Sequence, residues 1–158
     1  MGRSLKSAIK QTKPFKSLRE ELMLTLVRTA AEFEHQAAQD FKPFNLTTTQ
    51  YNVLRILRGA GADGLCRNEV GERLVRQVPD VTRLLDRMEE AGLIARERGG
   101  ADRRYVTTRL TAQGLTLVNK LDAEIETMHE RQLGHLSEKQ MRELIALLTQ
   151  MGQSDRDD

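Results

Sequence analysis

The chain has 158 residues, with 25 Lys and Arg against 23 Asp and Glu for a net charge of +2, and 39% hydrophobic residues. That composition suits one modest domain with helical extensions, and a core lean enough for some apolar faces to need a partner subunit. It excludes a membrane span, since no apolar run approaches ~20 residues, and its one cysteine excludes an intrachain disulfide and fits a reducing cytoplasm.

The start of the chain is basic (Arg3, Lys6, Lys10, Lys13, Lys16) but lacks the apolar segment of a signal peptide. It reads either as a DNA-contacting arm or as a solvated tail. A first helix is predicted from about Ser17 to Ala38. Ser17 and Glu20 have capping-box spacing, and Leu18, Leu22, Leu26 and Phe33 form an apolar face. Pro43 is expected to end it, because the residue before proline disfavours helix. A second helix opens with another capping box, Thr47 and Gln50, and a hydrophobic staple between Leu46 and Tyr51. It closes in a Gly-rich turn over 59–64. Leu65 and Cys66 are a short strand candidate, and residues 68–75 a short scaffold helix.

Next comes the segment with the clearest chemistry. Val81, Leu84, Leu85 and Met88 fall at i, i+3, i+4 and i+7, one apolar stripe at the helical period. Arg76, Gln77, Asp80, Thr82, Arg83 and Arg87 fall off that stripe and are expected to face DNA. Gln77, Asp80 and Thr82 are placed nearer the bases, Arg83 and Arg87 nearer the phosphates. Pro79 is placed in the first helical turn and Gly92 just past the last. Two alternating segments, 94–98 and 105–110, then flank Gly99-Gly100-Ala101-Asp102-Arg103-Arg104. This is a strand, a charged tip and a second strand. Arg103 and Arg104 suit phosphates or a narrow minor groove, with Asp102 orienting Arg104. All ten basic residues between 67 and 109 are arginine, whose planar fork matches guanine and phosphate as lysine cannot. Helix, turn, helix and hairpin in this order make a winged helix-turn-helix, a DNA-reading device.

Thr111 is expected to cap a long helix reaching about Leu133, with Leu117, Leu121, Ile125 and Met128 on one face. Ser137 and Gln140 open a sixth helix carrying Leu144, Ile145, Leu147, Leu148 and Met151. The first, fifth and sixth helices hold more apolar surface than so small a winged domain covers, so a homodimer is expected through both ends of the chain. The expected organisation is an arm and dimerisation helix over 1–44, the winged domain over 45–112, dimerisation helices over 113–152 and a frayed tail over 153–158. The fold class is mainly α with a small β-wing.

Four stretches, taken in order, resemble the MarR family (multiple antibiotic resistance regulators). They are Leu46-Thr47-Thr48-Thr49-Gln50-Tyr51-Asn52-Val53-Leu54; the run Val81 to Ile94; Asp102-Arg103-Arg104; and Leu110-Thr111-Ala112-Gln113-Gly114. Each alone is weak, and their order and spacing carry the resemblance. The chain departs from the family pattern at Val75–Asp80, which lacks the usual small hydroxyl residues, and at Cys66, where Thr or Ser is common. The resemblance implies a cytoplasmic, homodimeric, ligand-responsive regulator on double-stranded DNA, usually a repressor on a pseudo-palindromic operator. A small aromatic or phenolic effector is implied with it. The expected pocket joins Arg28, Phe33, His35, Phe41, Phe44, Tyr51 and Leu54 where the first, second and fifth helices meet. The alternative is that these aromatics fill the core.

Other chemistry has little support. There is no phosphate loop, CxxC pair or HExxH motif. His35, His129 and His135 are scattered, and neither a metal nor a cofactor is expected. With no nucleophile–base pair, an enzyme is not expected. Cys66 near a helix start leaves open an oxidation-sensing repressor, and a winged-helix protein-interaction module without DNA binding is the reading from another class.

Overall fold

In the computed structural model, which describes residues 4–98 and 106–153, the chain is mainly helical with a small antiparallel sheet. It divides into two compact units, one ending at Val118 and the other beginning at Asn119.

In the first unit, α1 (Leu5–Ala8) forms a single turn where only an arm or tail was expected. Ser4 caps it through the Ser7 N–H at 3.4 Å, and Leu5 and Ala8 are half-buried. Helix α2 (Leu18–Phe41) starts where Ser17 accepts the Glu20 N–H, but Glu20 reaches back to the Lys16 N–H rather than to that of Ser17. The helix also overruns its expected end at Ala38. Pro43 sits in the first turn of a 3-10 segment (Lys42–Phe44), where its missing N–H costs nothing, and Asn45 in the left-handed region makes the turn. Helix α3 (Thr48–Ala60) has both halves of the Thr47–Gln50 capping box, at 2.9 and 3.1 Å. It buries Tyr51, Val53, Leu54 and Leu57.

Strand β1 (Leu65–Cys66) leads into α4 (Arg67–Arg73), which begins and ends earlier than the sequence suggested. The Glu69 carboxylate accepts the Cys66 N–H at 2.7 Å and so draws the start back, and Asn52 takes the Val75 N–H at 2.9 Å beyond the end. Helix α5 (Val81–Glu90) follows. Its N-cap is Asp80, which places Pro79 just outside the helix rather than in its first turn. Leu85 and Met88 are buried and Val81 and Leu84 half-buried, so the apolar stripe is the docking face. Gly92, at φ 72°, turns the chain out of α5 in a conformation costly to any residue with a Cβ.

Strands β2 (Ile94–Arg98) and β3 (Val106–Leu110) pair antiparallel, and the sheet order is β1-β3-β2. Thr108, opposite both Leu65 and Arg96, is buried at the centre. Helix α6 (Ala112–Leu133) begins in the first unit and ends in the second. Thr111 caps it through the Gly114 N–H at 3.0 Å. A Cβ on Gly114 would collide with the Leu93 carbonyl oxygen, so only glycine allows this approach of helix to turn. In the second unit α7 (Glu138–Gln153) opens with the expected Ser137–Gln140 pair. Among the described residues, no helix is long and apolar enough to cross a membrane, and no three His, Cys, Asp or Glu side chains come together as a metal site.

Replacing Leu85 by Ala removes a side chain only 1% exposed and is expected to cost about 2–5 kcal/mol in urea unfolding followed by circular dichroism. Unchanged stability with lost DNA binding would mean the faces of α5 are assigned the wrong way round.

Candidate nucleic-acid interface

Helix α5 is amphipathic, and its buried side decides what its outer side displays. Thr82, Arg83 and Arg87 are exposed there, and Asp80 and Gln77 stand exposed just before its first turn. Arg83 and Arg87 have no side-chain partner among the described residues, which leaves both guanidinium groups available to an anion. Asp80 is partly committed, because one carboxylate oxygen accepts the Arg83 N–H at 2.9 Å. That caps the helix and sets a negative charge against the positive end of its dipole. The Thr82 hydroxyl accepts from Arg67 at 3.2 Å. Arg67, also bonded to Asn68, is a residue that the sequence reading missed. Arg67, Asn68, Gln77, Asp80 and Thr82 share a groove of about 540 Å³ along the N-terminal ends of α4 and α5. Backbone and side-chain donors at such helix starts suit phosphate oxygens.

Arg76 is placed differently. It pairs with Glu34 of α2 at 3.0 Å, an exposed contact between the helix-turn-helix and the N-terminal helix. Asp102, Arg103 and Arg104 lie outside the described residues. The last described pair below them is Arg98 opposite Val106.

Acid–base contacts between helix and wing define the region more than sequence spacing indicates. Asp86, three residues after Arg83, pairs instead with Arg96 of β2 at 2.6 Å. The same guanidinium donates to Glu89 through Nε at 2.9 Å and Nη2 at 2.6 Å, and the Arg96 N–H donates to the other Glu89 oxygen at 3.0 Å. The Arg96 side-chain bonds, and secondarily its backbone N–H, hold the Glu89 carboxyl below the usual carboxylate range, while Glu89 first and then Asp86 push Arg96 upward. Farther along the sheet, Arg109 donates to the Ala62 carbonyl and to Glu97, each at 2.6 Å, and ties the wing to the turn after α3. The Cys66 N–H likewise holds the half-buried Glu69 carboxyl below its ordinary range.

A cavity of about 470 Å³ opens beside this clamp, lined by Cys66, Arg67, Thr82, Leu85, Arg96 and Val106 among others. The seven residues expected to form a ligand pocket are not gathered there or at any other single place. Phe41, Tyr51 and Leu54 are buried in the core, with the Phe41 and Tyr51 rings 4.9 Å apart. Phe44 is half-buried, while Phe33 and His35 are exposed on α2. Arg28 is paired with Glu32 at 2.8 Å. It sits thirteen residues before Phe41, roughly 20 Å along the same helix at 1.5 Å per residue. Helical spacing separates residues that a shared aromatic character had grouped. Cys66, by contrast, lines the cavity beside two arginines.

The depressed Glu89 carboxyl gives a pH-dependent prediction. Its stabilisation is present above the unfolded glutamate pKa of about 4.3 and is lost as pH falls through the lower folded value. Wild type is expected to exceed Glu89→Gln by about 1 kcal/mol near neutrality, a figure reduced for solvent screening. The gap in urea midpoints should close in acid below that range. A gap that stays constant on acidification would count against the carboxylate as its source.

Comparison with known proteins agrees with this fold. A MarR family model matches residues 44–104. The HTH-type transcriptional regulator PecS of Dickeya dadantii is 29% identical over 125 residues, covering 78% of this chain and 75% of that one. The crystal structure of a MarR transcription factor from Planctomyces limnophilus is 39% identical with a TM-score of 0.68, covering 86% of this chain and 98% of that one. MepR of S. aureus, solved as a DNA complex, is 30% identical with a TM-score of 0.74, covering 82% of this chain and 96% of that one.

Proposed function

The chain belongs to the MarR family of DNA-binding transcriptional regulators, and from that premise we propose that it is a homodimeric repressor on a pseudo-palindromic operator, released by a small aromatic or phenolic ligand. The observation that carries the DNA-facing part is the two-sidedness of α5. Its inner side is fixed by Leu85 and Met88, and its outer side presents Arg83 and Arg87 without intrachain partners among the described residues. In this reading Arg83, Arg87 and the wing residues Arg103 and Arg104 hold phosphates or the minor groove, with Asp102 orienting Arg104. Gln77, Thr82 and the free oxygen of Asp80 reach base edges. Arg76 contributes only by leaving Glu34. MepR, whose structure was solved with DNA, shares the fold over most of the chain and supports this arrangement.

The dimer is supported by apolar surface that the single chain leaves uncovered. On α2, Leu18, Leu22, Met23 and Val27 are exposed, and on α7 so are Leu144, Ile145, Leu147 and Leu148. A two-fold interface built from these faces would set two copies of α5 about 34 Å apart, one turn of DNA. For the effector, the cavity beside Arg96 supports the reading better than the expected aromatic group does. It has a ligand-sized volume, apolar walls in Leu85 and Val106, and guanidinium groups from Arg67 and Arg96 for an acid or phenol.

Fluorescence anisotropy with the DNA upstream of its own gene tests the interface. Arg83→Ala and Arg104→Ala are each expected to weaken binding by about 1–3 kcal/mol and to flatten the salt dependence. Equal affinity of both variants and wild type at moderate salt would remove the assignment. Light scattering is expected to give twice the chain mass at micromolar concentration, and Ile145→Asp with Leu148→Asp should lower it to one. A monomeric wild type would reject the dimer.

A further inference from the structure

Two side chains in the groove at the starts of α4 and α5, Asn68 and Thr82, can by their chemistry either donate or accept a hydrogen bond. Arg67 lies between them. Its Nη1 donates to the Thr82 Oγ1 at 3.2 Å, and its Nε and Nη2 donate to the Asn68 Oδ1 at 3.3 and 3.1 Å. A guanidinium has no acceptor, so it turns an oxygen of each neighbour toward itself. Asn68, accepting from two of its nitrogens, braces the guanidinium plane. The Thr82 hydroxyl proton is left without a partner among the described residues. All three side chains are exposed, and Arg67 makes no ion pair among the described residues. Its positive charge therefore stays beside the hydroxyl uncompensated.

We infer that Arg67 fixes the sense in which Thr82 reads DNA: the hydroxyl faces the major groove as a donor and recognises a purine through its N7 acceptor. The inference rests on the outer face of α5 meeting that groove. Guanine and adenine both offer N7 there, whereas cytosine offers only its N4 amino donor. A threonine free to rotate serves either kind of base. With Arg67 against its oxygen, accepting an amino group would crowd two positive N–H groups onto one hydroxyl. Donation to N7 is instead strengthened by the adjoining cation. Arg67 is thus a positioning residue for sequence specificity, acting on the base through Thr82.

The test starts with selection of duplexes from a randomised pool by the full wild-type chain. Anisotropy on the selected duplex then compares variants. T82V keeps the shape of threonine without its hydroxyl, and the base pair at which it loses preference is the one that Thr82 reads. Each base pair holds one purine, so a 7-deazapurine at that pair removes a single known acceptor. It is expected to weaken wild type about fivefold, the usual worth of one hydrogen bond, and T82V by less than about twofold. Putting cytosine in the purine's place should cost wild type about tenfold, the scale of one mismatched pair. R67M should pay only about twofold for that change, and R67M/T82V should discriminate no worse than T82V. R67K, which offers one ammonium in place of a braced fork, should fall between wild type and R67M. It also carries the comparison if R67M does not fold. An R67M that binds every duplex more weakly by one factor and flattens the salt dependence would make Arg67 a phosphate contact and overturn the inference. Unchanged wild-type affinity for the 7-deazapurine duplex, or a T82V with unaltered preference at every base pair, would overturn it as well. In each of those cases a wild type that still selects sequences leaves α5 standing as the DNA-reading helix. A wild type that selects none would overturn both.

Discussion

The structure depends on the burial of one side of a ten-residue helix. Helix α5 is about 15 Å long by its rise per residue, too short to be stable alone in water. Its orientation comes from Leu85 and Met88, which are almost wholly removed from solvent. Once those two are seated, the direction of every other side chain on the helix is set by the 100° step between residues. Asp80 then closes one end, Gly92 turns the chain away at the other, and Arg96 holds the side next to the sheet. The outer face proposed to meet DNA is thus a consequence of the inner one.

Charge explains how a nearly neutral segment can serve as a DNA-binding surface. Several acids around α5 are engaged locally: Asp80 by a backbone N–H, Asp86 and Glu89 by Arg96, Glu97 by Arg109, Glu69 by the Cys66 N–H. The contacts with arginine take those negative charges out of competition with phosphate. Arg83 and Arg87 have no such side-chain partner among the described residues and lie on the exposed face of α5. A net charge counts all of these groups equally, whereas the field at the helix surface is set by those that remain uncompensated.

The same economy applies to apolar surface. The core under the winged segment is closed around α3, α5 and the sheet, with Val53, Leu54, Leu57, Val70 and Ile94 fully or almost fully buried. Helices α2 and α7 instead leave large aliphatic side chains in water. Isolated exposed apolar residues are ordinary, but continuous stripes on two long helices mark surfaces built for association. In the proposed dimer a second copy would bring two DNA-reading helices within one turn of the duplex, which a single chain cannot do.

The sequence by itself determined most of the elements and the buried face of α5. Local rules suffice for these, because a 3.6-residue stripe, a Thr47–Gln50 box or a Gly92 turn is written within a few neighbouring residues. Tertiary structure alone decided the partners. Arg96 and Glu89 meet across a helix-to-strand turn, Arg109 finds a carbonyl 47 residues away, and Arg76 finds Glu34 on another helix. It also dispersed the expected aromatic pocket, sending Phe41, Tyr51 and Leu54 into the core and leaving Arg28, Phe33 and His35 along the surface of α2. It extended α2 to Phe41, directly against the 3-10 turn, despite Pro43, because a proline that begins a new turn has no N–H to lose. The physical reason is one of range. Periodicity and capping act over three or four residues, while a salt bridge or a cavity depends on where distant segments are brought by the burial of other side chains.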